Sequence, residues 1–309
     1  MPTLEFDASK AVGWGSGKVI LLGEHAVVHG SPAIAAGLEQ GVQVRLGVAQ
    51  DAARLVPPGS DARLRSALER ACSLTGVADS AGVSLEIKSQ LPEAVGFGSS
   101  AALAVALIRA CLAGQQLVWN GAQVAAAANQ IETIFHGKPS GIDATTAALG
   151  GIQRFQIGPP LAYEALPLGS ELVLLLVETG TQHTTSSTVG ALGERARAQP
   201  GLYQPVFDAI TALVEEADDA LRSGDMESLG AAMTINHGLL RTLGVSTVEL
   251  DDAVDAVLAA GARGAKLTGA GGGGAIIALC DRDPEALRSV IEEAGYRATL
   301  TRFAAGRPA

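Results

Sequence analysis

Short apolar runs and apolar–polar alternation recur along the chain, and each predicts an extended segment. In the first half these lie near Val19–Leu22, Val42–Val48, Val83–Ile87 and Ile152–Ile157. In the second half they lie near Leu172–Val177, Ala265–Thr268, Ala275–Cys280 and Arg297–Phe303. Helical spacing marks Asp61–Thr75, Ser100–Ala113, Gln123–Phe135, several segments between Thr185 and Ala260, and Pro284–Ala294. In the third of these, Val124, Ala128, Ile131 and Phe135 form an apolar stripe that Asn120 is placed to cap. With the helices after Leu172–Val177 taken as one crossover, the second half has the βαββαβ order of a ferredoxin-like domain. Pro159, Pro160, Pro167 and Gly169 interrupt regular structure, so the chain divides into domains at 1–160 and 161–309.

The chain has 309 residues, enough for two domains with substantial cores. Hydrophobic residues make up 48% of it. No apolar run approaches the roughly 20 residues that cross a bilayer. Glu5 and Asp7 stand where a secretory signal would be basic and then apolar, so a cytoplasmic protein is expected. Cys72, Cys111 and Cys280 are scattered and show no zinc or redox spacing, and His29, His183 and His237 show no transition-metal spacing. A net charge of −10 without a basic run excludes nucleic acid and anionic membranes as partners. It also means that any nucleotide must be held by local donors.

Glycine changes the picture most: the chain has 38, with local concentrations at Gly13–Gly23, Gly96–Gly98 and Gly269–Gly274, which read as shaped loops beside apolar segments. The stretch Pro92, Glu93, Ala94, Val95, Gly96, Phe97, Gly98, Ser99, Ser100, Ala101, Ala102 passes from a glycine-rich loop into an alanine-rich helix. Free N–H groups and the dipole at such a helix start suit a phosphate, and Ser99 or Ser100 offers a hydroxyl for a cap or for magnesium. A tight turn with a serine cap fits the same residues. Glu132 flanks the apolar stripe in the last helical turn, where a bound cation would offset the unfavourable dipole; a solvated flank is the alternative. Asp143 ends the polar loop that starts at His136. It can cap the helix that follows, or act as a base on a hydroxyl with a nearby lysine to neutralise it. Lys18 and the Glu24-His25 pair bracket an apolar strand.

Taken together, Lys18–His25, Pro92–Ala102 and Lys266–Gly274 resemble the three signature motifs of the galactokinase, homoserine kinase, mevalonate kinase and phosphomevalonate kinase superfamily. The resemblance covers nearly the whole chain. Residues 17–28 and 136–143 are most similar to its mevalonate kinase branch. The resemblance implies an α+β protein: an N-terminal domain of the ribosomal-protein-S5-domain-2 type, a C-terminal ferredoxin-like domain, and a cleft between them for ATP and mevalonate. It further implies Ser100 and Glu132 as magnesium ligands, the 92–102 loop around the phosphates, Asp143 as base, and Lys18 beside Asp143 and the transferring phosphoryl group. Glu24, His25, Ser140 and Thr185 would place mevalonate, and a homodimer is common in the family. The chain departs from the family pattern at Gly15-Ser16, at Phe97, and at His183, where an arginine is common.

Overall fold

The computed structural model describes residues 6–48, 62–77, 83–92, 95–180 and 185–306. Its chain opens with β1 (Val12–Leu22), β2 (Pro32–Val48), α1 (Ala62–Thr75), β3 (Val83–Ser89) and α2 (Ser99–Gly114). It continues through α3 (Gly121–His136), α4 (Ile142–Leu149), β4 (Gly151–Gln156) and β5 (Ala162–Ala165). These strands form a sheet in the order β1-β2-β4-β5, with β3 also paired to β2. The β2–β3 pairing is antiparallel, with Val44 opposite Ile87 and Leu46 opposite Leu85. Asn120 caps α3 through a reciprocal capping box with Gln123, as its position before the apolar stripe predicts.

Strands β1 and β2 are longer than periodicity alone predicts, and the reasons are physical. The glycines from Gly13 to Gly17 lie inside β1 rather than in a loop, on the strand's buried face. A Cβ on Gly13 would stand 2.1 Å from the Ala106 carbonyl, and one on Gly15 would stand 2.0 Å from the Ala102 carbonyl. Bare backbone is therefore what lets β1 lie against α2. The start of β2, Ala33–Leu38, is buried throughout and so shows no alternation to read. All four residues of β5 are exposed, which leaves this strand without an apolar face to betray it among the prolines.

The second half comprises β6 (Leu172–Glu178), α5 (Thr185–Ala198), α6 (Pro200–Ser223), α7 (Met226–Thr242) and α8 (Val248–Ala259). Then follow β7 (Gly264–Leu267), β8 (Ala275–Leu279), α9 (Pro284–Glu293) and β9 (Arg297–Phe303). The sheet order is β7-β8-β6-β9 and every pairing is antiparallel, which is the ferredoxin-like arrangement expected from the element order. Central β6 is almost entirely buried, which accounts for its unbroken Leu172–Val177 run.

By internal contacts the chain forms two compact units that interleave in sequence. One comprises Met1–Lys18, Gly37–Pro92 and Gly98–Gly150, and the other Val19–Ala36, Glu93–Phe97 and Gly151–Ala309. The first unit buries Leu46, Leu68, Leu107 and Ile108; the second buries Ile34, Phe155, Leu174, Phe207 and Ile276. Each such side chain contributes about 2 kcal/mol on leaving water. No helix among the described residues is long and apolar enough to cross a membrane.

Candidate active site

In the first unit, four of the residues singled out above meet at the start of two helices. Gly98 is the N-cap of α2, with φ of 72°, and carries no side chain that caps the helix. A Cβ there would come within 2.7 Å of Lys18 Cγ, so the glycine makes room for the lysine to run past the helix start. Lys18 is 5% exposed. Its Nζ lies 3.2 Å from Asp143 Oδ2. Asp143 is not the cap of α4: Gly141 takes that place with φ of 90°, and Asp143 sits in the first turn, its carboxylate turned to Lys18. There the helix dipole favours a negative charge.

Ser100 Oγ donates to Glu132 Oε2 at 3.2 Å and lies 2.9 Å from His136 Nε2. Glu132 is no solvated flank, being 1% exposed on α3. Its second oxygen, Oε1, is buried without a hydrogen-bond partner. Burial, and next the charge of Asp143, push its carboxyl up to about 8, against the opposing effects of the Ser100 hydrogen bond and Lys18. A buried carboxyl with an unmet oxygen beside a hydroxyl is a donor set that suits a hard cation. Among the described residues no three His, Cys, Asp or Glu side chains cluster as a metal cage. A cation here would therefore complete its shell from phosphate oxygens and water. The sequence reading placed His136 at the head of the polar loop and gave it no role, whereas it is the last residue of α3. Its signal was its place one helical turn after Glu132.

Of the loop before α2, Glu93 and Ala94 lie outside the described residues, as does His183. Val95, Phe97, Ala101 and Ala102 are buried and offer a ligand no side chain, and the Ala102 N–H already donates to the Gly98 carbonyl at 2.9 Å. Ser99 Oγ donates to the Pro92 carbonyl at 3.4 Å. Ser140 Oγ accepts from the Ile142 N–H at 3.3 Å in the turn before α4. Thr185 opens α5.

In the second unit, Glu24 and His25 occupy a turn facing the glycine loop after β7. Glu24 is 1% exposed and Lys266 is 0% exposed. Lys266 Nζ donates to Glu24 Oε1 and, at 2.7 Å, to the Leu267 carbonyl, while Asn236 Nδ2 donates to Glu24 Oε2 at 3.3 Å. Burial raises the Glu24 carboxyl and lowers the Lys266 ammonium, each opposed by the other's charge. His25 Nε2 donates to the Ala270 carbonyl at 3.0 Å. Burial lowers this imidazole to about 4, so it is neutral at physiological pH. The glycines of 269–274 serve close approach between loops: a Cβ on Gly274 would stand 2.8 Å from the Val95 carbonyl, and one on Gly271 would stand 2.1 Å from that of Val245. Lys266 and Asn236 hold Glu24, a role that sequence reasoning did not assign to either.

A glycine-lined helix start, a buried lysine on a carboxylate, and a hydroxyl on a second, partly unmet carboxylate are groups that phosphoryl transfer can use. Residues 62–151 match the GHMP kinases N terminal domain and residues 208–297 the GHMP kinases C terminal domain. The chain belongs to the GHMP kinases. It is 35% identical over 316 residues to the mevalonate kinase of Pyrococcus abyssi, covering 93% of each chain. Among solved structures it is similar to L. major mevalonate kinase in complex with R-mevalonate, with a TM-score of 0.81, 30% identity and 96% of both chains covered. The Streptococcus pneumoniae phosphomevalonate kinase shares the fold at a TM-score of 0.77 and 17% identity, with 94% of this chain and 99% of that one covered.

Proposed function

We propose that the chain is a mevalonate kinase: it transfers the terminal phosphate of ATP to the primary hydroxyl of mevalonate, giving 5-phosphomevalonate and ADP. The observation that carries this reading is the Lys18–Asp143 pair, 3.2 Å apart, at the N-terminal turn of α4. Asp143 takes the proton of the attacking hydroxyl. Lys18 holds the carboxylate in place and neutralises charge on the transferring group. The N–H groups at the start of α2 and the backbone of residues 95–98 cradle the phosphates of ATP. His25, Ser140 and Thr185 position mevalonate. An ATP-consuming kinase draws on the cytoplasmic nucleotide pool, and we place it there.

Magnesium would be held by Ser100 Oγ and Glu132, whose unpartnered Oε1 is the observation that fits it. When bound, the ion screens the phosphate oxygens of ATP. This assignment has a thermal signature. In the metal-free folded protein Glu132 keeps its proton up to about pH 8, against an ordinary value of 4.5. The resulting stability is present below the ordinary value and is lost as pH rises through the folded one. Metal-free protein is therefore expected to melt at lower temperature as pH rises across that window, and magnesium to restore more at its upper end. Glu132→Gln should flatten both effects and raise the magnesium requirement for turnover; an unchanged magnesium response would remove Glu132 from the ligand set.

The reaction itself is tested by following ATP, magnesium and mevalonate with the enzyme by phosphorus NMR. A phosphomonoester growing in step with ADP is expected. ADP formed with inorganic phosphate, and no ester, would contradict transfer to the alcohol.

A further inference from the structure

His25 is one of two described non-glycine residues with positive φ, at 60°, and its ψ is −49°. The Ala26 N–H donates to the Glu24 carbonyl at 2.6 Å, so His25 is the central residue of a γ-turn in the strained, positive-φ form. Strain of this kind persists only where the surroundings over-determine it. They do so here on both sides. Glu24, immediately before His25, is fastened by Lys266 and Asn236, reached from β7 and α7. On the Lys266 side, Nζ also donates to the Ile20 carbonyl at 3.4 Å, and Thr268 both accepts from the Ile20 N–H and donates to its carbonyl, at 3.0 and 3.1 Å. Beyond these, the Leu267 N–H donates to His237 Nδ1 at 3.3 Å, and His237 Nε2 lies 3.1 Å from Asp251 Oδ1. Each Glu24 oxygen is bonded inside the protein and the residue is 1% exposed, which shuts this carboxylate off from a ligand.

We infer that Glu24 and Lys266 are positioning residues: their buried ion pair holds the γ-turn that presents the His25 imidazole to the acceptor alcohol, and neither touches substrate. A buried pair of this kind is seldom a net source of stability, because taking two charges out of water costs about what their attraction returns. Retaining it for geometry resolves that imbalance. The inference rests on the mevalonate kinase reading for what His25 meets, but the latch itself is a property of the turn.

Two variants separate positioning from stability. Glu24→Gln is nearly isosteric and keeps polar partners for Asn236 and Lys266, whose ammonium burial already inclines to lose its proton. Glu24→Leu with Lys266→Met replaces the pair by apolar groups. In both, KM for mevalonate should rise about tenfold or more while KM for ATP stays within about twofold. The His25 ring signals, followed by NMR, should titrate near the ordinary 6.5 instead of near 4. The groups facing that imidazole are His29, Lys266 and Arg195; Glu24→Gln replaces none of them, and the double variant replaces only Lys266. Wild-type KM for mevalonate in a folded variant, an equal rise for both substrates, or failure of both variants to fold would each overturn the assignment. So would a wild-type His25 that titrates near 6.5. A wild type inert toward mevalonate would defeat the functional reading alone, and the His25 titration would still decide the latch.

Discussion

Asp143→Asn is expected to lower kcat by about a thousandfold while the dissociation constant for ATP changes by less than about twofold. The amide matches the carboxylate in size, so the fold and the start of α4 are undisturbed. What it lacks is the capacity to accept the hydroxyl proton as the bond to phosphorus forms. Loss of this charge also removes one of the two influences that raise the Glu132 carboxyl, so magnesium binding should be kept or strengthened. Calorimetric titration of ATP, beside kcat at saturating substrates, separates the two effects. Turnover within tenfold of wild type would remove Asp143 as the base.

Lys18→Met should lower kcat by about a hundredfold or more. Methionine retains most of the aliphatic stem that packs past Gly98, and the abandoned partner, Asp143, has a side chain 38% exposed and can turn to water. The melting temperature should therefore move by only a few degrees, so that lost activity reports lost charge. Lys18→Arg should not rescue, because a planar guanidinium does not reproduce the compact ammonium set 3.2 Å from Asp143. A methionine variant with more than a tenth of wild-type turnover would show that the lysine is not needed for transfer.

What the sequence made legible, and what it hid, follows from the range of each interaction. The second sheet could be read from element order because antiparallel neighbours and helical crossovers leave a local record in apolar runs such as Leu172–Val177. Lys18, Ser100, Glu132 and Asp143 drew attention by standing beside glycine-rich or polar loops, and the resemblance to the superfamily motifs gave each its role. That they meet was implied only by the resemblance to the superfamily motifs; composition and spacing do not show it, since it depends on packing between β1, α2, α3 and α4. The Gly13–Gly17 stretch misled for the opposite reason: glycine in a strand, selected by the proximity of Ala102 and Ala106, has the same composition as glycine in a loop. Glu24 and Lys266 are 242 positions apart and Glu24 and Asn236 are 212 apart, so nothing near any of the three announces the partnership. The positive φ of His25 is likewise invisible, because no neighbouring residue type demands it.

The most direct test of the account is ADP release by purified protein with magnesium and ATP, offered mevalonate, phosphomevalonate, mevalonate diphosphate, homoserine and galactose side by side, with Asp143→Asn as control. Turnover on mevalonate alone, lost in the variant, is the predicted result; turnover on a different acceptor, or silence on all five, would contradict it.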